Sequence, residues 1–358
     1  MVISDHLRAG RMGDGPARRF GQIGPHPGPR ILYRAPMGLP LLLIVSGALI
    51  LYAGAELGVR GASRLASSLG VRAFALAALL LGVDVEGLSA ALTAAGRGDT
   101  EIAAGVAFGP VLFLFTAGLG LALVLGRRPI PAPSTAMVLA PGGAVVLAAL
   151  AISDRYVDRF EGLLLLIGYA GYVFLVLRDR RAGSEDPAPR PEGAPLPPEL
   201  STVPEPATER PGALRAAAPT VVGLGLLYAG AWLIVEGGAR LTLSAGLAAG
   251  FVGAAVIGAL TSLDEVLLEV LPVRRGVPEL ATGNLFGTLT AFTTGVLGLA
   301  ALVRPLTLDT GANLAFLGVA FLYAVVGVTF LLRRRAGWVL GVFLLAFYAA
   351  WLVYAAGA

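Results

Sequence analysis

Two short acidic clusters, Asp84-Val85-Glu86 and Asp264-Glu265, stand near the middle of apolar runs long enough to cross a bilayer. A charged side chain at the bilayer centre costs roughly 2.5–3.5 kcal/mol even on lenient insertion scales, so carboxylates held there line an ion or proton path or form a buried pair. In Leu260-Thr261-Ser262-Leu263-Asp264-Glu265, the hydroxyls of Thr261 and Ser262 precede Glu265 by four and three residues, a spacing that puts them on one face of a continuous helix. A carboxylate beside hydroxyls is an oxygen-rich surface suited to a hard cation such as Na⁺ or Ca²⁺. Downstream, Gly283-Asn284-Leu285-Phe286-Gly287-Thr288 offers the Asn284 amide and the Thr288 hydroxyl from the next helix, placed to close the site from across.

The first cluster is poorer in hydroxyls, with only Ser89 and Thr93 following it. Asp84 and Glu86 are about 200° apart around a regular helix, so both face one site only if the helix unwinds between them. Gly82 and Gly87 flank the pair and make unwinding cheaper. Pro110 is expected to add a break in the following helix, of the kind tolerated at membrane depth where it lines a cavity.

The remaining acids have blander readings. Glu56 and Glu236 precede Arg60 and Arg240 by four residues, the spacing of a helical ion pair. Glu269, one turn beyond Glu265, points towards Arg274 and Arg275, which leaves a vestibule position and a surface ion pair both open. The two histidines, His6 and His26, stand outside the apolar sequence and carry no role.

Composition dictates what must position these acids. With 56% hydrophobic and 14% charged residues, the chain is a polytopic, all-α membrane protein; soluble domains carry about 25% charge. The absence of cysteine excludes disulfides, thiolate metal sites and cysteine nucleophiles. All 27 basic residues are arginine, which excludes a lysine Schiff base and a phosphate-loop lysine. The net charge of +4 fits arginines flanking helices rather than a nucleic-acid surface. No intramembrane His pair or Ser/Lys dyad is present, so no enzyme is expected.

Ten spans are expected, at 38–59, 73–95, 102–126, 135–153, 161–177, 216–236, 248–272, 281–303, 312–332 and 337–356. Each is close to the ~20 residues that cross about 30 Å of hydrocarbon. Residues 1–36 read as a disordered tail without a signal peptide, with Met37 expected to be the physiological start. A Pro-, Ala- and acid-rich stretch, 179–215, reads as a disordered linker between a first half, 37–178, and a second, 216–358.

The halves repeat each other. Leu51-Tyr52-Ala53-Gly54-Ala55 recurs as Leu227-Tyr228-Ala229-Gly230-Ala231, an offset of 176 (227 − 51). Leu119-Gly120-Leu121-Ala122 recurs as Leu297-Gly298-Leu299-Ala300, an offset of 178 (297 − 119). Five spans per half make the second enter from the opposite side, giving an inverted repeat with a midplane site where the halves meet. Arginine is concentrated in the loops after odd-numbered spans, at Arg127, Arg128, Arg274, Arg275 and Arg333 to Arg335 among others, which puts the linker in the cytoplasm and both termini outside.

These residues carry a family resemblance. The layout resembles the cation/calcium exchanger superfamily and is similar to prokaryotic members of the sodium/calcium exchanger membrane-region type. That family has a Gly-Thr-Ser-Leu-Pro-Glu type segment in each repeat, followed by a Gly-Asn-x-x-Gly-Ser-Asn type segment. Thr261-Ser262-Leu263-Asp264-Glu265 and Gly283-Asn284-Leu285-Phe286-Gly287-Thr288 match these, with Leu260 for Gly and Asp264 for Pro. In the first half Gly105-Val106-Ala107-Phe108-Gly109-Pro110 keeps the glycines but loses the amide and hydroxyl, and the spacing from Gly82 to Glu86 is closer to the calcium/proton branch.

The resemblance implies a ten-helix antiporter of the plasma (inner) membrane in which Glu265 and Glu86 bind the transported ion. Asp84, Asp264, Thr261, Ser262, Asn284 and Thr288 would surround it, and the first and sixth helices would slide to alternate access. Its partners are inorganic cations and lipid, with no nucleic acid and no cofactor beyond the transiently bound Ca²⁺ or Na⁺; the oligomeric state stays open. Calcium takes six to eight oxygens, and the depleted first half leaves Na⁺ or H⁺ open as a principal ion. It also leaves open a non-transporting paralogue that serves as a membrane binding or sensing scaffold.

Overall fold

The computed structural model describes residues 37–68, 84–126, 129–182, 213–276 and 278–358. The tail 1–36, nearly all of the linker, and residues 69–83, which open the second expected span and include Gly82, lie outside the described residues. The helices are α1 (Gly38–Ser68), α2 (Val85–Arg97), α3 (Thr100–Leu125), α4 (Thr135–Ala151), α5 (Arg159–Ala182), α6 (Ala213–Ala245), α7 (Ala249–Thr261), α8 (Glu265–Arg275), α9 (278–303), α10 (Thr310–Arg333) and α11 (Trp338–Ala356). Among the described residues, six are long and apolar enough to cross a membrane, or seven if α7 and α8, bent by 52° at their junction, form one span. The protein is a multi-pass helical membrane protein.

Helix ends in the two halves fall at matching places. Gly98 closes α2 with φ 92° and Gly276 closes α8 with φ 84°, both left-handed and 178 residues apart (276 − 98). Glycine enters that region without the Cβ penalty and so ends a helix sharply. The next helices, α3 and α9, start at Thr100 and Pro278, again 178 apart (278 − 100).

Both also widen into a π-helical turn, Leu114–Gly118 in α3 and Ala291–Val296 in α9. In each, a threonine hydroxyl donates to the carbonyl four residues back, Thr116 to Leu112 at 2.5 Å and Thr294 to Thr290 at 2.6 Å. Such back-bonding competes with the regular ladder. The break expected at Pro110 does not occur: α3 runs through it and widens only a turn later. Since α9 widens at the corresponding place without a proline, Pro110 is not the cause.

Packing sorts the helices into a centre and a flank. In the most apolar stretches of α3 and α9, 83% and 78% of residues are buried, against 33% in α1 and in α6. α3 crosses α7 through glycines, so that a β-carbon at Gly258 would stand 2.8 Å from the Gly109 Cα. Backbones brought this close compensate by dispersion for the missing hydrophobic force in lipid.

α1 and α6 form an antiparallel pair. A β-carbon at Gly47 would meet the Gly230 carbonyl oxygen at 2.8 Å, and one at Gly237 would meet the Pro40 carbonyl oxygen at 2.8 Å. Both helices run beyond their expected limits and carry Arg60, Arg64 and Arg240 as helix residues rather than loop residues. The long side chain of Arg240 reaches Glu236 one turn back, so a charged helix end needs no loop to hold it.

Two short antiparallel ladders tie loops together. β1 (Ile130–Pro131) pairs with β4 (Arg335–Ala336), and β2 (Tyr156–Val157) with β3 (Leu306–Thr307). Beside the second ladder, Asp309 accepts from Ala312 N–H of α10 and from Gly250 N–H of α7, both at 2.8 Å, satisfying two helix starts with one carboxylate.

Candidate cation site

α2 begins where the first acidic cluster stands. Asp84 lies just outside the helix, with φ −56° and ψ 100°, and its Oδ1 accepts from the Gly87 N–H at 2.6 Å. It is therefore an N-cap, and Glu86 falls in the first turn beside the positive end of the helix dipole. The two acids share one end of α2 because the helix starts between them.

The second cluster sits at the junction of α7 and α8. Thr261 ends α7, residues 262–264 form a turn, and Glu265 starts α8. The expectation that Thr261, Ser262 and Glu265 share one face of a continuous helix is thereby corrected. The turn lies between them, and Ser262, with φ −116° and ψ 17°, has left the helical region. The Thr261 hydroxyl donates to the Gly258 carbonyl at 3.2 Å, whereas Ser262 is free to aim elsewhere.

Ser262 aims at the other cluster. Its Oγ donates to Asp84 Oδ2 at 3.3 Å, joining side chains 178 residues apart. The structure thus brings the start of α2 against the α7–α8 turn, and the two acidic clusters belong to one polar region between the halves. Glu265 is 9% exposed, Thr261 4% and Ser262 fully buried, while Glu86 and Asp84 are half-buried and Asp264 is exposed.

Asn284 does not reach Glu265. Its Nδ2 donates to Glu269 Oε1 at 3.2 Å, and Thr288 lies buried one turn further along α9. Glu269 is fully buried, so neither an open vestibule position nor a surface pair with the exposed Arg274 describes it, and the side chain of Arg275 lies outside the described residues. Its i+4 spacing from Glu265 was the available signal: it puts a second acid on the buried face of α8. Glu265 Oε2 and Glu269 Oε2 make no hydrogen bond among the described residues, although both are buried. Buried polar atoms are nearly always paired, so orphaned carboxylate oxygens mark a place for a ligand or a proton.

No group of three or more acidic side chains is close enough to hold a metal ion among the described residues. A cation here must therefore draw on hydroxyl, amide and backbone oxygens as well as carboxylates.

An ion-pair cluster stands at the other end of α2 from the site. Arg97 contacts Glu236 at 2.5 Å and Asp99 at 3.1 Å, and its guanidinium lies 5.0 Å from the centre of the Trp232 ring. Glu236 also takes the expected pair with Arg240, at 2.6 Å. Sequence spacing finds the Arg240 contact but not the Arg97 one, which crosses from α2 to α6. The side chain of Arg60, expected partner of Glu56, lies outside the described residues.

The sodium/calcium exchanger protein family matches residues 39–178 and 216–357. A putative antiporter, CaxA of Alkalimonas amylolytica, is 26% identical over 281 residues, 76% of this chain and 83% of that protein. Among solved structures, the H⁺/Ca²⁺ exchanger CAX is similar with a TM-score of 0.66 and 16% identity, covering 90% of this chain and 87% of that one. The sodium-calcium exchanger NCX_Mj is similar with a TM-score of 0.53 and 19% identity, covering 88% and 98%.

Proposed function

Because the chain belongs to the sodium/calcium exchanger protein family, whose members are transporters and not enzymes, we propose that it is a secondary-active cation antiporter. It exchanges Ca²⁺ or Na⁺ for Na⁺ or H⁺ by alternating access. The ion is held at the membrane midplane by Glu86 and Glu265, one from each half. Asp84 and Asp264 add negative charge, and Thr261, Ser262, Asn284 and Thr288 line the approach with neutral oxygens. The observation that carries this reading is the Ser262–Asp84 contact at 3.3 Å, which joins the two acidic clusters across the halves.

Ten spans in two inverted repeats, 37–178 and 216–358, are the architecture we propose. The recurring 178-residue offset of helix ends supports it. So does the loop pairing. With ten spans, the loops after the third and ninth emerge on one side and those after the fourth and eighth on the other, and β1–β4 and β2–β3 join the loops in that way. The linker 179–215 is cytoplasmic and the termini lie outside the plasma membrane, as the arginine distribution supports. The α1–α6 pair, flanking and packed through glycine, slides against the rest.

Flux of ⁴⁵Ca²⁺ and ²²Na⁺ into proteoliposomes under imposed Na⁺ or pH gradients tests the proposal. Gradient-dependent uptake of at least one ion is the expected result. Absence of flux for both would leave the non-transporting scaffold.

A further inference from the structure

Glu269 lies outside the set of oxygens just described. It is fully buried, one helical turn or about 6 Å along α8 from Glu265, and Oε2 has no partner among the described residues. Among the described side chains no cationic group pairs with it. The Asn284 Nδ2 donates to Oε1 at 3.2 Å, which brings the amide and its carbonyl oxygen beside the carboxylate. The wall opposite is the π-helical turn of α3: a β-carbon at Gly118 would stand 3.3 Å from Glu269 Cγ. Thr116 in that turn has already committed its hydroxyl to Leu112.

We propose that Glu269 and Asn284 form a second cation subsite, deeper along α8 than the Glu86–Glu265 site, that takes a monovalent cation of the Na⁺ class. The proposal rests on the antiporter reading and names a second occupant of its path. One full negative charge and one neutral carbonyl oxygen balance a single positive charge. A divalent ion needs six to eight oxygens and more carboxylate than Glu269 and Asn284 supply. The glycine at 118 lets α3 close tightly over the Glu269 side chain.

The test uses the full chain in proteoliposomes and in detergent, with Na⁺ and choline chloride as the probes. Wild type is expected to show Na⁺-dependent flux and a rise in melting temperature with Na⁺ over choline. Glu269→Gln, nearly isosteric, is expected to raise the Na⁺ half-saturation about tenfold or more and to lose most of the Na⁺-dependent thermal shift. Asn284→Ala, which leaves the carboxylate in place, should move both readouts in the same direction by a smaller factor, and it serves if Glu269→Gln does not fold. Half-saturation and thermal shift both unchanged in the variants would overturn the subsite, as would a wild type that moves Ca²⁺ without any response to Na⁺. A wild type with no gradient-dependent flux of either cation would instead overturn the antiporter reading itself.

Discussion

At the start of α2 an aspartate uses its carboxylate as a helix cap, whereas at the start of α8 the residue in the N-cap position, Asp264, makes no side-chain cap bond and the next acid has an oxygen unpaired among the described residues. Both ends sit in the same polar region, yet their oxygens are committed differently. Asp84 gives Oδ1 to Gly87 N–H and Oδ2 to Ser262, so its acceptors are engaged by the protein. Glu265 Oε2 is buried and unengaged among the described residues.

The 178-residue offset sharpens the contrast, because Glu265 corresponds to Gly87 (265 − 87). A β-carbon at Gly87 would stand 2.7 Å from Phe292 Cζ and 2.8 Å from Asp84 Oδ2. The place that an acid fills in the second half is closed in the first by an aromatic ring from the π-helical turn of α9. The first half's acids stand one and three residues earlier instead, at the mouth of the helix. An acid engaged in holding a helix start contributes structure, and an acid with a buried oxygen unpartnered among the described residues is the one open to a ligand or a proton.

The largest expected effect follows directly. Glu265→Gln should lower gradient-driven flux about a hundredfold or more, with folding and insertion unchanged by size-exclusion and circular dichroism, because on the proposed mechanism a buried carboxylate charge that binds the ion has no substitute. Glu86→Gln should lower it by a smaller factor, about tenfold, with the same assay. Equal losses at the two positions would erase the asymmetry.

Stability should show the opposite ranking. Asp84→Ala removes a cap and an interhelical bond and should cost about 1–2 kcal/mol, whereas Asp264→Ala, with no cap bond to lose, should cost about 0.5 kcal/mol or less, read from melting temperatures in detergent. A larger loss at Asp264 would contradict the division of labour. The smallest effect on transport is expected at Arg97→Gln, which loosens α2 from α6. The partly exposed network there should be worth about 1 kcal/mol, and the exchange rate should change a few-fold if α6 moves against α2 during transport. An unchanged rate would detach this cluster from the moving pair.

Much of the site was legible in the chain. The unusual acids, the hydroxyls before Glu265 and the amide and hydroxyl in the next helix are local features, read from residue types in apolar runs. What misled was continuity. A regular helix through 261–265 puts Thr261 and Ser262 beside Glu265, but the 52° bend separates them. The i,i+4 rule found Glu236–Arg240 and missed Arg97, because Arg97 approaches from another helix. Glu269 read as a residue near the surface because arginines follow it, although its face of α8 packs inward.

The amino-acid sequence by itself determined that this is a helical membrane protein with segments that recur between its halves and acids set in long apolar runs. Those properties depend on run length, composition and short-range spacing, which no distant contact can undo. Tertiary structure alone decided which oxygens are occupied: Ser262 on Asp84, Asn284 on Glu269, and Phe292 in the place facing Gly87. Each of those partners lies on a different element from the residue it meets. Its reach is set by how the glycine-lined helices cross, a geometry that emerges only when all of them pack at once.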